Sequence, residues 1–273
     1  MGWALDQRTK TPWGEVAHGK TGSGPPLTLA HGWPWSSFSW HRVIEPLAEH
    51  YTVYWYDMPG FGGSEKSSDQ ATSLDVQGDV FAHMMDVFGI EKPLVIAHDF
   101  GGAVTLRAHL LHGREYEKLV LMNVVALSPW GSEFFDHVGR HVEAFQGLPP
   151  HIHEAVVKAY IGGALVNPLQ DDDAAQLAAP WLEGDGATSF YRQFAQADDK
   201  YTDEFANLLD AMRCEVAVLW GEDDPWVPLK RGESLHGLIP GSTFTKISNV
   251  GHLPQLENAE QTAGLLLEAL QNG

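Results

Sequence analysis

The chain has 273 residues, 44% of them hydrophobic, enough for one large domain with a sizeable core. Its formal net charge of −19 excludes nucleic acid or an anionic membrane surface as the expected partner, because both repel such a surface. The single cysteine, Cys214, excludes an intrachain disulfide and reads as an inert thiol ahead of a buried strand. Residues 1–10 lack the apolar stretch of a secretory leader, Asp6 spoils a myristoylation pattern, and no apolar run is long enough for a bilayer, so a cytoplasmic protein is expected.

In chain order, residues 9–20 read as a hairpin turned at Pro12-Trp13-Gly14, and 21–26 as a loop. Short apolar runs at 27–30, 52–56, 93–97, 118–122, 216–220 and 244–247 predict buried parallel strands. Helical patterns lie between and after them at 38–50, 73–89, 101–112, 228–238 and 257–271. In the third helix Val104, Ala108 and Leu111 fall at i, i+4 and i+7, an apolar stripe for the sheet. This alternation predicts an α/β fold with a mostly parallel, doubly wound sheet. It breaks over residues 125–212, a helical stretch interrupted by Pro149-Pro150, Gly162-Gly163, Gly184 and Gly186. The expected organisation is a core of residues 1–124 and 213–273, with a helical cap, 125–212, inserted before the 216–220 strand and lying over the C-terminal sheet edge, where open α/β sheets bind ligands.

The chemistry gathers at strand ends. Val95-Ile96-Ala97-His98-Asp99-Phe100-Gly101-Gly102 runs an apolar strand into small residues and a helix, the layout of a sharp strand–helix elbow that exposes a nucleophile. Asp99 stands where serine is usual. An aspartate at such a junction also serves as a helix N-cap, but as a nucleophile it attacks carbon by displacement and forms an alkyl ester. His31-Gly32-Trp33-Pro34 follows the first parallel strand, so the Trp33 backbone N–H, with that of Phe100, is a candidate oxyanion hole. Gly221-Glu222-Asp223-Asp224-Pro225 ends the 216–220 strand; Asp224 is taken as the acid that orients a base, and Asp223 as a solvated loop charge. Asn123, ending the 118–122 strand, carries no charge for that purpose. His252 follows the last strand and is singled out among 14 histidines by the order nucleophile, acid, base. His151 and His153 sit in the cap with no third ligand in view, so no metal is expected.

Four motifs in order, His31-Gly32-Trp33-Pro34, Asp57-Met58-Pro59-Gly60-Phe61-Gly62-Gly63-Ser64, Ala97-His98-Asp99-Phe100-Gly101-Gly102 and Gly221…Asp224…His252, together resemble the α/β-hydrolase superfamily over nearly the whole chain. With aspartate as nucleophile the sequence is similar to the epoxide hydrolase and haloalkane dehalogenase branch, which also holds the fluoroacetate dehalogenases. The epoxide hydrolases of this fold place two cap tyrosines on the epoxide oxygen. The resemblance offers Tyr191, within Phe190-Tyr191-Arg192-Gln193, as the first and Tyr160 as the second, with Tyr201 a spare. Haloalkane dehalogenases carry a tryptophan after the nucleophile and an asparagine after His-Gly, and fluoroacetate dehalogenases an arginine after the nucleophile; this chain has Phe100 and Trp33. Phe100 also departs from the many epoxide hydrolases with tryptophan there.

The resemblance therefore implies hydrolysis of an epoxide to a diol: Asp99 attacks carbon, Tyr191 and Tyr160 donate to the opening oxygen, and His252, oriented by Asp224, activates the water that hydrolyses the ester. The alternatives are haloalkane dehalogenation with the same three residues, an esterase or lactonase, and a ligand-binding protein on a hydrolase scaffold. Trp33, Trp35, Phe100, Trp130, Trp181 and Tyr191 suggest an apolar pocket, with His31, Pro34 and Trp130 expected to line it. The expected partner is a small apolar organic molecule, without cofactor, and the chain is taken as a monomer or homodimer.

Overall fold

The computed structural model describes residues 2–271. Eight strands form one sheet: β1 (Gln7–Thr11), β2 (Gly14–Gly22), β3 (Pro26–Ala30), β4 (Thr52–Tyr56), β5 (Leu94–Asp99), β6 (Lys118–Val124), β7 (Glu215–Gly221) and β8 (Thr243–Ile247). Their spatial order is β1-β2-β4-β3-β5-β6-β7-β8, with β2 antiparallel to both neighbours and β3 to β8 parallel. The predicted strands all appear, within a residue or two at their ends.

The helices are α1 (His41–Ala48), α2 (Leu74–Phe88), α3 (Phe100–Leu110), α4 (Glu133–Arg140), α5 (Val142–Gln146), α6 (Pro150–Gly162), α7 (Asp171–Leu182), α8 (Gly186–Gln196), α9 (Lys200–Ala206), α10 (Leu229–Leu238), α11 (Pro254–Glu257) and α12 (Ala259–Gln271). The pattern read as one helix over 38–50 is a 3₁₀ turn, Ser37–Trp40, capped by the Ser36 hydroxyl, followed by α1. The 257–271 pattern is α12, preceded by the short α11.

Both sheet faces are covered, which is why the parallel strands read as unbroken apolar runs rather than alternating ones. In β5 Leu94 and Ile96 face a core layer with Val43, Ile44 and Leu47 of α1 and Leu266 and Leu270 of α12. Val95 and Ala97 point the other way, into a layer with Val80, Phe81 and Met84 of α2, Val104 and Leu106 of α3 and Leu235 of α10. The stripe expected on α3 is corrected. Val104 and Ala108 are buried, but Leu111 lies beyond the helix and is 37% exposed. Every residue from Phe100 to His109 is buried, because α3 is packed beside α2 and β5 and against α9.

Among the described residues, the stretch between β6 and β7 holds helices and no strand. It is tied to the loops at the C-terminal ends of the parallel strands. Trp181 of α7 donates its indole N–H to the Pro34 carbonyl at 2.8 Å, and Ser189 of α8 bonds the Gly60 carbonyl at 2.9 Å. Arg192 of α8 donates to the Ser67 and Gln70 carbonyls, both at 2.7 Å.

Candidate active site

Asp99 is the hinge between β5 and α3, with φ 53° and ψ −124°. A non-glycine residue in this region is strained and persists only where its surroundings enforce it. Those surroundings are tight. A Cβ on Gly101 would lie 2.4 Å from the Ala30 carbonyl oxygen, and one on Gly102 2.3 Å from Val124 Cβ. Asp99 makes no side-chain capping bond to α3, although it stands at the N-cap position. Its carboxylate turns away, with Oδ1 accepting from the Trp33 backbone N–H at 2.6 Å and Oδ2 3.1 Å from His252 Nε2.

Trp33 arrives there because the loop after β3 is drawn against the elbow. A Cβ on Gly32 would sit 2.2 Å from Asp99 Oδ1 and 2.5 Å from the Phe100 nitrogen, so only glycine lets this loop bring the Trp33 N–H to the carboxylate beside the Phe100 backbone. His252, fully buried after β8, points Nδ1 at Asp224 Oδ2, 2.8 Å away. Asp224 is held by two more donors on its other oxygen, Trp226 N at 2.8 Å and Val227 N at 2.9 Å. Asp223 beside it is exposed.

An imidazole between two carboxylates holds both ring protons. Burial pulls His252 down, but the charge of Asp224 and the hydrogen bonds to Asp224 and Asp99 outweigh it and push its pKa up to about 10. Asp224 moves the opposite way: burial raises it, yet His252, Asn123 and the Val227 N–H bring the net value below the ordinary carboxylate range. The resting site is therefore an ion triplet, carboxylate–imidazolium–carboxylate.

A cavity of about 340 Å³ opens above Asp99, lined by Trp33, Phe100, Trp130, Tyr160, Trp226 and Arg231 among others. Tyr160, from α6, accepts a hydrogen bond from the Trp33 indole N–H at 3.3 Å. That contact occupies a lone pair and leaves the tyrosine proton for the cavity. Burial raises the Tyr160 pKa, and the nearby Asp99 charge raises it further, so the hydroxyl keeps its proton.

Several expectations are corrected. Tyr191 does not line the cavity; it is fully buried and its hydroxyl lies 2.9 Å from His153 Nδ1. His153 Nε2 donates to the Trp181 carbonyl, which leaves Nδ1 to accept the Tyr191 proton. Tyr191 and His153 thus knit α6, α7 and α8 together, and burial pushes the Tyr191 pKa up to about 12. Tyr201 contributes its carbonyl to Arg107 and is not at the cavity either. His31 does not line it: Nε2 accepts from the Met58 N–H and Nδ1 donates to the Gly32 carbonyl, so the ring ties the loop after β3 to the loop after β4. Pro34 offers its carbonyl to Trp181 instead, and Trp35 and Trp181 are core rather than lining. Of the pocket residues expected from sequence, Trp33, Phe100 and Trp130 are in place, with Trp130 edge-on to Phe100 at 5.4 Å.

Two contributors, His98 and Trp226, were not given a role from the sequence, and a third, Asn123, was set aside there for lacking a charge. Asn123, at φ 48°, donates to Asp224 Oδ2 at 2.7 Å and accepts from the Gly221 N–H at 3.1 Å, locking the acid to the end of β7. Its position at the end of β6 was the available signal; its role is as an amide, not a charge. His98 donates from Nε2 to the His252 carbonyl at 2.6 Å. Burial and the His252 charge lower the His98 pKa to about 4. Trp226 packs on Trp35 at 5.6 Å and on His252 at 5.3 Å, and with Tyr160 forms one wall of the cavity.

Residues 25–259 match the family model described as the alpha/beta hydrolase fold, and the chain belongs to that family. It is a hydrolase of this fold. It is 27% identical to a 2-hydroxymuconate semialdehyde hydrolase from Pseudomonas sp. (strain CF600), over 90% of this chain and 87% of that protein. Among solved structures, an alpha/beta hydrolase fold protein from Burkholderia ambifaria superposes with a TM-score of 0.93 at 39% identity, covering 98% of this chain and 99% of that one. The epoxide hydrolase CorEH superposes with a TM-score of 0.76 at 20% identity, covering 97% of each chain, a likeness of fold alone.

Proposed function

We propose that this hydrolase opens an epoxide through an ester on Asp99, with Tyr160 as the single tyrosine donor and Trp33 behind it. The observation that carries this reading is the Tyr160 hydroxyl, its lone pair engaged by the Trp33 indole, at the cavity that Asp99 also lines. Oδ1 of Asp99 is held by the Trp33 N–H, so Oδ2 is the attacking atom and Oδ1 becomes an ester carbonyl already bordered by donors.

The proton inventory closes for an epoxide. In the resting site His252 carries a proton. Oδ2 forms a bond to the epoxide carbon, the C–O bond breaks, and the alkoxide is met by the Tyr160 O–H. His252 then supplies the net proton to that oxygen and is left neutral. Loss of the Asp99 charge on esterification removes one of the two carboxylates that held the imidazolium, so the ring becomes a base at the step that needs one. It takes a proton from water, hydroxide adds to the ester carbonyl, and collapse returns Asp99, imidazolium and diol. An alkyl halide brings no oxygen to receive the proton and needs N–H donors for the departing ion; the Trp33 indole is occupied by Tyr160.

The test compares styrene oxide with 1-bromohexane and 2-hydroxymuconate semialdehyde. Diol formation, with kcat/KM falling as pH rises through about 10, is expected. In a single turnover in heavy-oxygen water the label should enter Asp99. Bromide release or semialdehyde cleavage without diol, or label passing straight into the diol, contradicts the proposal.

A further inference from the structure

Arg231 is the only cationic side chain lining the cavity above Asp99, among the described residues. It projects from the first turn of α10 and is half-buried. Its Nη1 donates to the Ser128 carbonyl at 3.2 Å and its Nη2 to the Pro129 carbonyl at 2.5 Å. Five arginines, Arg8, Arg42, Arg107, Arg114 and Arg213, each pair with a carboxylate. Arg231 has no such pair among the described residues, in a chain with 36 acidic and 17 basic side chains. Two acids that bond this loop, Asp203 with the Ser128 hydroxyl and Asp199 with the Trp130 N–H, form no ion pair with Arg231.

A guanidinium carries five N–H donors in a planar fork. Two are spent on backbone carbonyls, which fixes the orientation of the fork and leaves the others without a protein acceptor among the described residues. In a wall whose side chains are otherwise aromatic and aliphatic apart from Asp99 and Ser132, this cation gives nothing to a wholly apolar ligand. We propose that Arg231 receives the carboxylate of the substrate. The substrate class is then a small amphipathic acid, with an aromatic or aliphatic middle against Trp130 and Trp226 and the reacting carbon at Asp99. This deepens the epoxide reading and rests on it for the identity of the reacting group, but the carboxylate site stands on the cavity alone.

The experiment is therefore one of binding with unreactive probes. Phenylacetate and phenylacetamide are titrated against the intrinsic tryptophan fluorescence of the wild type, Arg231→Gln and Arg231→Lys, with folding of each variant followed by circular dichroism. The wild type should bind the acid about tenfold more tightly than the amide. That preference should shrink in about 0.5 M salt, vanish in Arg231→Gln and survive in part in Arg231→Lys. Equal affinities in the wild type, or an acid preference that persists in a folded Arg231→Gln, overturns the proposal; if Arg231→Gln does not fold, Arg231→Lys and the salt dependence decide. A parallel assay of styrene oxide and 4-carboxystyrene oxide separates the two readings. Arginine-dependent acid binding with neither epoxide opened refutes the epoxide chemistry alone, and styrene oxide opened with no acid preference refutes the carboxylate site alone.

Discussion

Two tyrosines separate local sequence from spatial arrangement at the scale of the residue. Tyr191 and Tyr160 both sit in helical stretches with aromatic neighbours, and sequence favoured the first. Only the packing of α6 against α7 and α8 turns the Tyr191 hydroxyl to His153 and gives Tyr160 to the cavity. Tyr160→Phe should lower kcat for epoxide opening by about 10²-fold or more, the usual worth of a positioned proton donor. Tyr191→Phe should leave kcat within about twofold and cost roughly 1–3 kcal/mol of stability, because it leaves the His153 nitrogen buried without its partner. Steady-state kinetics and urea unfolding measure the two; equal kinetic losses would contradict the assignment. Asn123→Ala should similarly slow turnover and cost about 1–3 kcal/mol, since it strips a buried carboxylate of a donor and leaves the Gly221 N–H unpaired. Asp99, Asp224 and His252 were legible because each stands at or after a strand end in a fixed order; Asn123 was legible by position but not by its amide role, and His98 and Trp226 act through contacts that no spacing announces.

The elements were legible for a related reason. A strand buried on both faces is an apolar run of five to seven residues bounded by turn formers; β3, β5, β6 and β7 fit that description closely, β4 less so, and β8, the edge strand Thr243–Ile247, buries only Ile247 fully. Where one pattern covered two elements, as at 38–50, the join fell between Trp40 and His41, where no side chain caps the start of α1 and no residue type marks the change. The elbow itself rests on absent side chains. Gly101→Ala would drive a methyl to 2.4 Å from the Ala30 carbonyl oxygen, a backbone atom that cannot swing aside. Overpacking of this kind costs about 1–3 kcal/mol, and the shift of Asp99 should remove activity before it removes the fold. Gly264→Ala is the control: it lies inside α12 with nothing within 4 Å of the new methyl, and should stabilise by about 0.5–1 kcal/mol. A thermal melt of each variant, read beside its activity, tests the pair.

For the whole molecule, the charged triplet links folding to pH. His252 titrates near 6.5 when unfolded and at about 10 when folded, so the folded state holds a proton that the unfolded chain releases. Its stabilisation is complete below about pH 6.5 and is lost as pH rises through about 10. His98 runs the other way: with a folded value near 4, its contribution is present above pH 6.5 and lost as pH falls through about 4. His252→Gln should therefore flatten the fall in Tm between pH 7 and 10, and an unchanged slope would contradict the triplet. The same variant gives the most direct test of the central claim, that the Asp99 oxygen bonds to substrate carbon. With the water-activating base removed, the ester should accumulate, more slowly than in the wild type, because the opening oxygen must then take its proton from Tyr160 and in turn from solvent rather than from His252. Intact-protein mass spectrometry of His252→Gln after exposure to styrene oxide should show one added epoxide mass, mapped by peptide sequencing to Asp99. A protein that turns over epoxide in its wild-type form, yet shows no adduct in His252→Gln or carries one elsewhere, contradicts the account.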